Sequence, residues 1–191
     1  MVERIEQVEN SKVSSYWRGL MIVALVLGIG WINLSRLPQE VVARDQDIQA
    51  PMTGFLAPDF QLPFVDGGEM QLSALRGQPL VINFWATWCP PCRAEMPALE
   101  RVQQQYASDG LIVLGVDQGE TAEVVTRFAR GTVKTTFPLV LDGQLQVGTL
   151  YGVRALPTTF FVDREGRIRS IKIGALDTAS LIDGVREITA P

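Results

Sequence analysis

Cys89 and Cys92, the two cysteines of this 191-residue chain, are separated by two prolines in the segment NFWATWCPPCRAEMPALE. An apolar run of strand length, residues 79–85, precedes them, and a helical pattern begins at Arg93. A C-x-x-C pair between a buried strand and a helix is typical of a redox motif. The pattern places Cys89 at the helix cap and Cys92 within the first turn, close enough for one short disulfide.

The start of this helix predicts an activated sulfur. Pro90 and Pro91 fall in the part of a helix where a missing backbone N–H costs nothing. The remaining unpaired N–H groups and the positive end of the helix dipole favour the thiolate of Cys89. We therefore expect Cys89 to form a mixed disulfide with a partner and Cys92 to resolve it.

Other chemistries need ligands or bases that the chain lacks. It has no histidine and no third cysteine, which excludes Cys–His and Ser–His catalysis and leaves a zinc site two ligands short. A copper site of the two thiolates and Met96, and a structural disulfide that closes a short loop, stay as alternatives. The P-x-x-x-T-x-x-C spacing of peroxiredoxins is absent before Cys89. The redox interpretation needs neither a metal nor a cofactor.

An uncharged apolar stretch of 17 residues lies between Arg18 and Arg36. As a helix it would be about 26 Å long, against a hydrocarbon core of about 30 Å. We predict a transmembrane anchor at residues 19–35, with a cleaved signal peptide as the alternative. Three basic residues precede the stretch and two follow it closely, which predicts a cytoplasmic tail at residues 1–18 and an extracytoplasmic domain.

Residues 36–57 are polar, contain prolines and show no sustained period, which is typical of a linker. From residue 58 to 191, strands and helices alternate first and an antiparallel hairpin follows later. This order predicts an α/β fold with a mixed central sheet and helices on both faces. An additional N-terminal hairpin is predicted across Asp66-Gly67-Gly68. The net charge of −4 argues against a nucleic-acid partner, which a basic surface would attract.

The predicted strands are 59–62, 69–72, 79–85, 111–116, 138–141, 158–162 and 168–173, and the predicted helices are 93–108, 120–130, 144–151 and 178–188.

Three separated segments, APDFQLP, VINFWATWCPPCRAEMPALE and YGVRALPTTFFVDREGRI, resemble membrane-anchored thioredoxin-like thiol:disulfide oxidoreductases of the TlpA, ResA and CcmG type. The resemblance covers residues 57–190. It implies a thioredoxin-like fold outside the cytoplasm, with Cys89 as the exposed nucleophile and Cys92 as its buried partner. It also implies a reductive role, most often in cytochrome c maturation. The implied partners are a cysteine-containing protein substrate and an upstream thiol donor such as a membrane reductase.

The resemblance also implies a substrate-binding loop. Pro157 matches the proline that is cis in thioredoxin-like proteins. A cis bond there would turn the backbone of Leu156 toward Cys89, where its N–H and C=O groups could bind an extended substrate. Trp88 is expected to shield Cys89 or to contact the substrate, whereas Trp85 is expected in the core.

Asn83 stands where thioredoxin has a buried aspartate, and an amide cannot titrate. The proton of Cys92 therefore needs another acceptor. Glu95 is the candidate, because it lies three residues further along the same helical face. The alternative for Glu95 is a carboxylate that complements the charge of a helix N-terminus.

The sequence allows two alternatives to a reductant. The prolines do not determine the reduction potential, so an oxidant that donates its disulfide is the alternative to a reductant. A metal-binding or carrier module is the alternative from another class of protein.

Overall fold

The fold is described from a computed structural model of the chain. The described residues are Trp17, 20–28, Trp31 and 48–190. The chain divides into two units, Met1–Asp45 and Gln46–Pro191. Residues 20–28 are helical. Within the part of the chain that is described, no helix has both the length and the apolar character to cross a membrane. The predicted tail lies almost entirely outside the described residues, as does most of the predicted linker.

The second unit is built on a five-stranded mixed sheet next to a two-stranded hairpin. Its strands are β1 (Gln61–Pro63), β2 (Glu69–Gln71), β3 (Leu80–Trp85), β4 (Ile112–Gln118), β5 (Leu139–Asp142), β6 (Thr158–Val162) and β7 (Ile168–Ile173). Its α-helices are α1 (Pro90–Gln105), α2 (Ala122–Phe128), α3 (Gln146–Leu150) and α4 (Thr178–Thr189). Shorter helical turns cover Leu72–Leu75, Ala107–Asp109 and Ala129–Val133.

The sheet has the strand order β5-β4-β3-β6-β7. Strands β3, β4 and β5 run parallel, whereas β6 pairs antiparallel with both β3 and β7. The predicted mixed sheet is therefore confirmed. The predicted N-terminal hairpin is also present, because β1 and β2 pair antiparallel with Leu62 opposite Met70. It reaches the large sheet through a bridge between Phe64 and Val140 of β5.

Strand β3, which precedes the cysteine pair, is buried along its whole length. Val81 and Trp85 face an apolar cluster that includes buried side chains of α1, α2 and α4. Ile82 and Phe84 face a second cluster, formed with the hairpin and α3. Because both faces of β3 are covered, its sequence is continuously apolar rather than alternating. The prediction of helices on both faces of the sheet is confirmed.

Helix α1 begins at Pro90, three residues before the predicted start at Arg93. Proline suits the first helical positions, because its fixed φ is helical and its missing N–H would have no partner there. The helix continues through Pro97 to Gln105. Strand β3 therefore leads into α1 through a turn of four residues, 86–89.

The compact unit starts earlier than predicted, so residues 48–57 do not belong to the linker. Leu56 is 5% exposed and forms a bridge with Arg167. The N–H of Ala57 donates to the Gly166 carbonyl at 2.8 Å, and the N–H of Gly54 donates to the Ile168 carbonyl at 2.7 Å. These partners lie more than a hundred residues away in sequence, which is why no local sequence pattern predicted the contacts.

Gly184 of α4 packs directly against the ring of Phe161, and a Cβ added there would lie 2.5 Å from its Cε1 atom. Alanine stabilises a helix by about 0.5–1 kcal/mol relative to glycine, but overpacking a core costs about 1–3 kcal/mol. We expect Gly184→Ala to lower the free energy of unfolding by about 1–2 kcal/mol in urea denaturation. Gly143→Ala is the control, because a Cβ at Gly143 meets nothing within 4 Å. Unchanged stability of Gly184→Ala would show that α4 can shift away from Phe161.

Candidate active site

Cys89 and Cys92 form a disulfide at the start of α1, with an S–S distance of 1.99 Å and a Cα–Cα distance of 5.3 Å. Cys89 is the N-cap residue, and its backbone is extended. Its Sγ accepts a hydrogen bond from the Cys92 N–H at 3.3 Å. Because Pro90 and Pro91 have no N–H, Cys92 carries the first helical amide that can reach the sulfur. The predicted positions at the cap and in the first turn are confirmed.

The disulfide is buried. Cys89 is 3% exposed and Cys92 is 0% exposed. Cys89 is the more exposed of the two cysteines, as the resemblance implied. The implied exposed position of Cys89 is nevertheless wrong for the disulfide form. The reason is that both sulfurs belong to the apolar cluster that covers one face of the sheet. Met96, the third ligand of the copper alternative, is buried in the same cluster.

The loop before β6 lies at the same end of the sheet as the cysteine pair. The Leu156–Pro157 bond is cis, as the resemblance implied. Pro157 directly precedes Thr158, which pairs with Phe84 near the end of β3. The carbonyl of Pro157 accepts a hydrogen bond from Gly174 N–H at 2.8 Å, which ties the loop to the end of β7. The substrate-binding roles of Leu156 and Pro157 stay predictions.

The two tryptophans near the pair have opposite environments. Trp88, directly before Cys89, is 66% exposed. Trp85 is fully buried and packs against Phe128 with ring centroids 5.6 Å apart. An exposed indole next to a reactive pair offers a large, rigid surface for contact with another protein. Trp85 is in the core, as predicted, and the contact role of Trp88 stays a prediction.

Glu95 is a buried carboxyl with two hydrogen-bond donors. It is 4% exposed, accepts from Asn83 Nδ2 at 2.7 Å through Oε1, and accepts from the Leu176 N–H at 2.9 Å through Oε2. Burial raises the pKa of Glu95, and the two hydrogen bonds oppose that rise. These partners come from β3 and from the segment before α4. The carboxyl therefore connects α1, three residues after Cys92, with β3 and with the segment before α4.

Asn83 occupies the position on β3 that faces Glu95. Its Nδ2 donates both to Glu95 and to Thr159 Oγ1, the latter at 2.9 Å. Its Oδ1 is buried without a hydrogen-bond partner among the described residues. An asparagine can thus hold Glu95 in place, although it cannot take up a proton itself. Proton transfer through Glu95 stays a prediction.

Sequence reasoning missed three residues that form or contact the turn before the pair, directly or through one another: Thr87, Asp117 and Glu120. Thr87 lies in the turn before Cys89, and the two acidic residues lie at or after the end of β4, next to that turn. Asp117 was detectable in principle, because it is a charged residue in an otherwise buried strand. Its connection with the turn was not detectable, because it depends on sheet register. Where residues are described, no group of three or more His, Cys, Asp or Glu could hold a metal ion.

The comparisons with known proteins agree with this geometry. A sequence model of the AhpC/TSA family matches residues 53–171. The thiol-disulfide oxidoreductase ResA of Geobacillus thermodenitrificans is 41% identical over 127 residues, which are 66% of this chain and 72% of the relative. The chain is a member of the AhpC/TSA family and a thioredoxin-like thiol-disulfide oxidoreductase of the ResA type.

Further relatives cover more of the chain. ResA of Bacillus subtilis is 31% identical over 172 residues, which are 90% of this chain and 90% of the relative. Among solved structures, StoA from Bacillus subtilis superposes with a TM-score of 0.58 at 28% identity, covering 66% of this chain and 96% of StoA. A thiol:disulfide interchange protein of the thioredoxin family from Chlorobium tepidum gives a TM-score of 0.63 at 28% identity, covering 71% and 96%. The thioredoxin-like fold is therefore confirmed.

The raised pKa of Glu95 has a consequence for stability. A carboxyl whose pKa is higher in the folded than in the unfolded chain stabilises the fold while it is protonated, and this contribution is lost as the pH rises through the folded pKa. We expect the oxidised wild-type protein to lose stability as the pH rises above 4.5, the ordinary value for Glu95. Glu95→Gln should show a shallower decline in urea denaturation, because glutamine does not titrate.

The control for this prediction is Glu123→Gln, since Glu123 is an exposed residue of α2 paired with Arg127. This variant should keep the wild-type pH dependence. Equal slopes for wild type and Glu95→Gln would show that burial does not shift the titration of Glu95.

Proposed function

We propose that this chain is a membrane-anchored reductant of protein disulfides whose catalytic domain faces the extracytoplasmic side. The observation that carries the proposal is the Cys89–Cys92 pair at the start of α1, with a single amide directed at the Cys89 sulfur. The resemblance to ResA-type proteins supports the same chemistry. Residues 20–28, which are helical and carry no charged side chain, support an anchor at residues 19–35.

The environment of the sulfurs favours reduction of the substrate over its oxidation. A strong oxidant of this class has a reduced form that is unusually stabilised, because its thiolate is well stabilised. Here Cys89 lies in an apolar cluster, and among the described residues only the Cys92 N–H donates a hydrogen bond to its sulfur. Glu95, the nearby buried acid, cannot supply a positive charge that would stabilise the thiolate. A poorly stabilised thiolate gives up its electrons readily, so the couple should be reducing.

The reaction proceeds in two exchanges. The thiolate of Cys89 attacks one sulfur of the substrate disulfide, a mixed disulfide forms, and one substrate thiolate leaves. Cys92 loses its proton to Glu95 and attacks Cys89 Sγ, which releases the second substrate sulfur as a thiolate that takes up a proton. The substrate gains two electrons and the pair becomes the disulfide seen here. An upstream thiol donor, such as a membrane reductase, returns the pair to the dithiol.

The substrate is a protein with a cysteine pair outside the cytoplasm. The family resemblance favours the cysteines of apocytochrome c before haem attachment. Trp88, Leu156 and Pro157 form the contact surface for its extended chain, since an exposed indole and the loop before β6 lie at the same end of the sheet as the disulfide. Backbone groups of Leu156 would then pair with the substrate chain as an added strand does.

The partner can be identified by trapping. In Cys92→Ser, Cys89 still forms the mixed disulfide, but no second thiol resolves it, so the complex should accumulate in cells. We expect mass spectrometry of the trapped complexes to identify an extracytoplasmic protein joined through a cysteine of a pair. The double variant Cys89→Ser/Cys92→Ser is the control. Recovery of the same proteins with both variants would contradict the proposed exchange.

The direction of electron flow can be measured separately. Reductants of this class have reduction potentials of about −200 mV or lower, whereas the strong oxidant DsbA lies near about −120 mV. We expect the Cys89–Cys92 couple to equilibrate below about −200 mV in defined glutathione or dithiothreitol buffers. A value near that of the strong oxidant would support the alternative function, donation of the disulfide.

A further inference from the structure

A carboxylate from the chain after β4 binds the turn that leads to Cys89. Glu120 Oε2 accepts the backbone N–H of Thr87 at 2.5 Å, and Glu120 Oε1 accepts the hydroxyl of the same residue at 2.6 Å. Thr87 lies two residues before Cys89 and 33 residues before Glu120. Both donors of Thr87 are therefore satisfied by one side chain from a different part of the fold.

Glu120 is itself held by a buried residue of the sheet. The Glu120 N–H donates to Asp117 Oδ1 at 2.9 Å, and Asp117 is 0% exposed. Asp117 lies opposite Trp85 in the parallel β3–β4 pairing. The turn after β3 and the turn after β4 thus leave the sheet side by side, and the two acidic residues join them.

The two ends of the turn are held by burial, since Ala86 is 0% exposed and Cys89 is 3% exposed, but among the described residues its middle has little support besides Glu120. It contains one backbone hydrogen bond, from the Cys89 N–H to the Ala86 carbonyl at 3.2 Å. Trp88, between Thr87 and Cys89, is 66% exposed and contributes little packing. Without Glu120, the N–H of Thr87 would lose its partner, and the backbone between Ala86 and Cys89 would be less constrained. The contact between Glu120 and Thr87 therefore constrains the backbone that leads into the N-cap residue, Cys89.

We propose that Glu120 is a positioning residue for the Cys89 sulfur, acting through Thr87, and that Asp117 orients Glu120. Its role is geometric rather than electrostatic, because a negative charge near Cys89 opposes the thiolate. The inference rests on the thiol chemistry of Cys89 proposed above, but not on the direction of electron flow.

The surroundings of Asp117 fit this role. Burial, followed by the neighbouring carboxylates of Glu120 and Asp142, raises the pKa of Asp117 to about 8. The raised pKa favours the neutral form of Asp117, which avoids a second negative charge beside Glu120. The Oδ2 atom of Asp117 is buried and has no hydrogen-bond partner among the described residues. Asp142 is occupied elsewhere, because its Oδ2 accepts from Gly148 N–H at 2.7 Å and from Gln118 Nε2 at 3.1 Å.

The two substitutions Glu120→Ala and Glu120→Gln separate position from charge. Both remove the negative charge, but glutamine can still accept from the Thr87 N–H through its oxygen and donate to the Thr87 hydroxyl through its amide. The experiment measures the rate at which iodoacetamide alkylates Cys89, as a function of pH, in the full-length chain with Cys92→Ser so that one thiol reacts. Glu123→Ala, an exposed acidic residue of α2, is the control for the change of net charge.

We expect Glu120→Ala to slow alkylation at pH 7 by about tenfold and to raise the pKa of the Cys89 thiol, because the sulfur no longer faces the helical amide. Glu120→Gln and Glu123→Ala should stay within about twofold of the parent. Faster alkylation in both Glu120 variants would show that Glu120 affects Cys89 through its negative charge and not by positioning the sulfur. Equal loss in both, or no loss in either, would also overturn the positioning role.

A second pair of variants applies if Glu120→Ala does not fold. Thr87→Val removes the hydroxyl at constant shape, and Thr87→Ser keeps it. Thr87→Val should react about threefold more slowly than Thr87→Ser, since one of the two hydrogen bonds is lost; equal rates would overturn the inference. If Cys89 of the parent protein is not alkylated at any pH and forms no mixed disulfide with a model disulfide, the proposed function fails. If the parent is reactive and the Glu120 and Thr87 variants match it, only the positioning role fails.

Discussion

The chemistry of this protein depends on one backbone amide, the Cys92 N–H, which faces the sulfur of Cys89 at 3.3 Å. That amide is available because Pro90 and Pro91 fill the first two helical positions without donors of their own. The strand that precedes the turn is buried on both faces, so its end is held rigidly. Strand β3, the turn after it and the start of α1 thus place the Cys92 N–H next to the Cys89 sulfur. The rest of the sheet holds these three elements in position.

Two hydrogen-bonded groups of polar residues contact the elements that carry the pair. On one side, Asn83 and Glu95 form a hydrogen-bonded network beneath the first turns of α1. On the other side, Asp117 and Glu120 reach the turn before the helix. Burying Asn83, Glu95 and Asp117 is unfavourable unless hydrogen bonds satisfy them, so their presence next to the elements that carry a redox pair favours a role in the site.

Much of the architecture could be predicted from local patterns, for definite physical reasons. The apolar run of β3 and the N-cap residue of α1, Cys89, could be predicted from neighbours in sequence, and the cis bond at Pro157 followed from family resemblance. Residues 48–57 and the Thr87–Glu120 contact could not be predicted, because their partners are distant in sequence and depend on the register of the strands. The burial of Cys89 was missed for a similar reason, since it depends on how helices cover the sheet.

The burial of both sulfurs has a consequence for selectivity. A thiol–disulfide exchange requires the attacking sulfur to approach in line with the S–S bond, so access limits its rate. With Cys89 only 3% exposed, small thiols in the surrounding fluid meet a covered target. A protein that contacts the exposed Trp88, as proposed above, would stay long enough for the covering side chains to move. Burial of both sulfurs should therefore slow the reduction of the disulfide by small thiols more than its reduction by a bound protein.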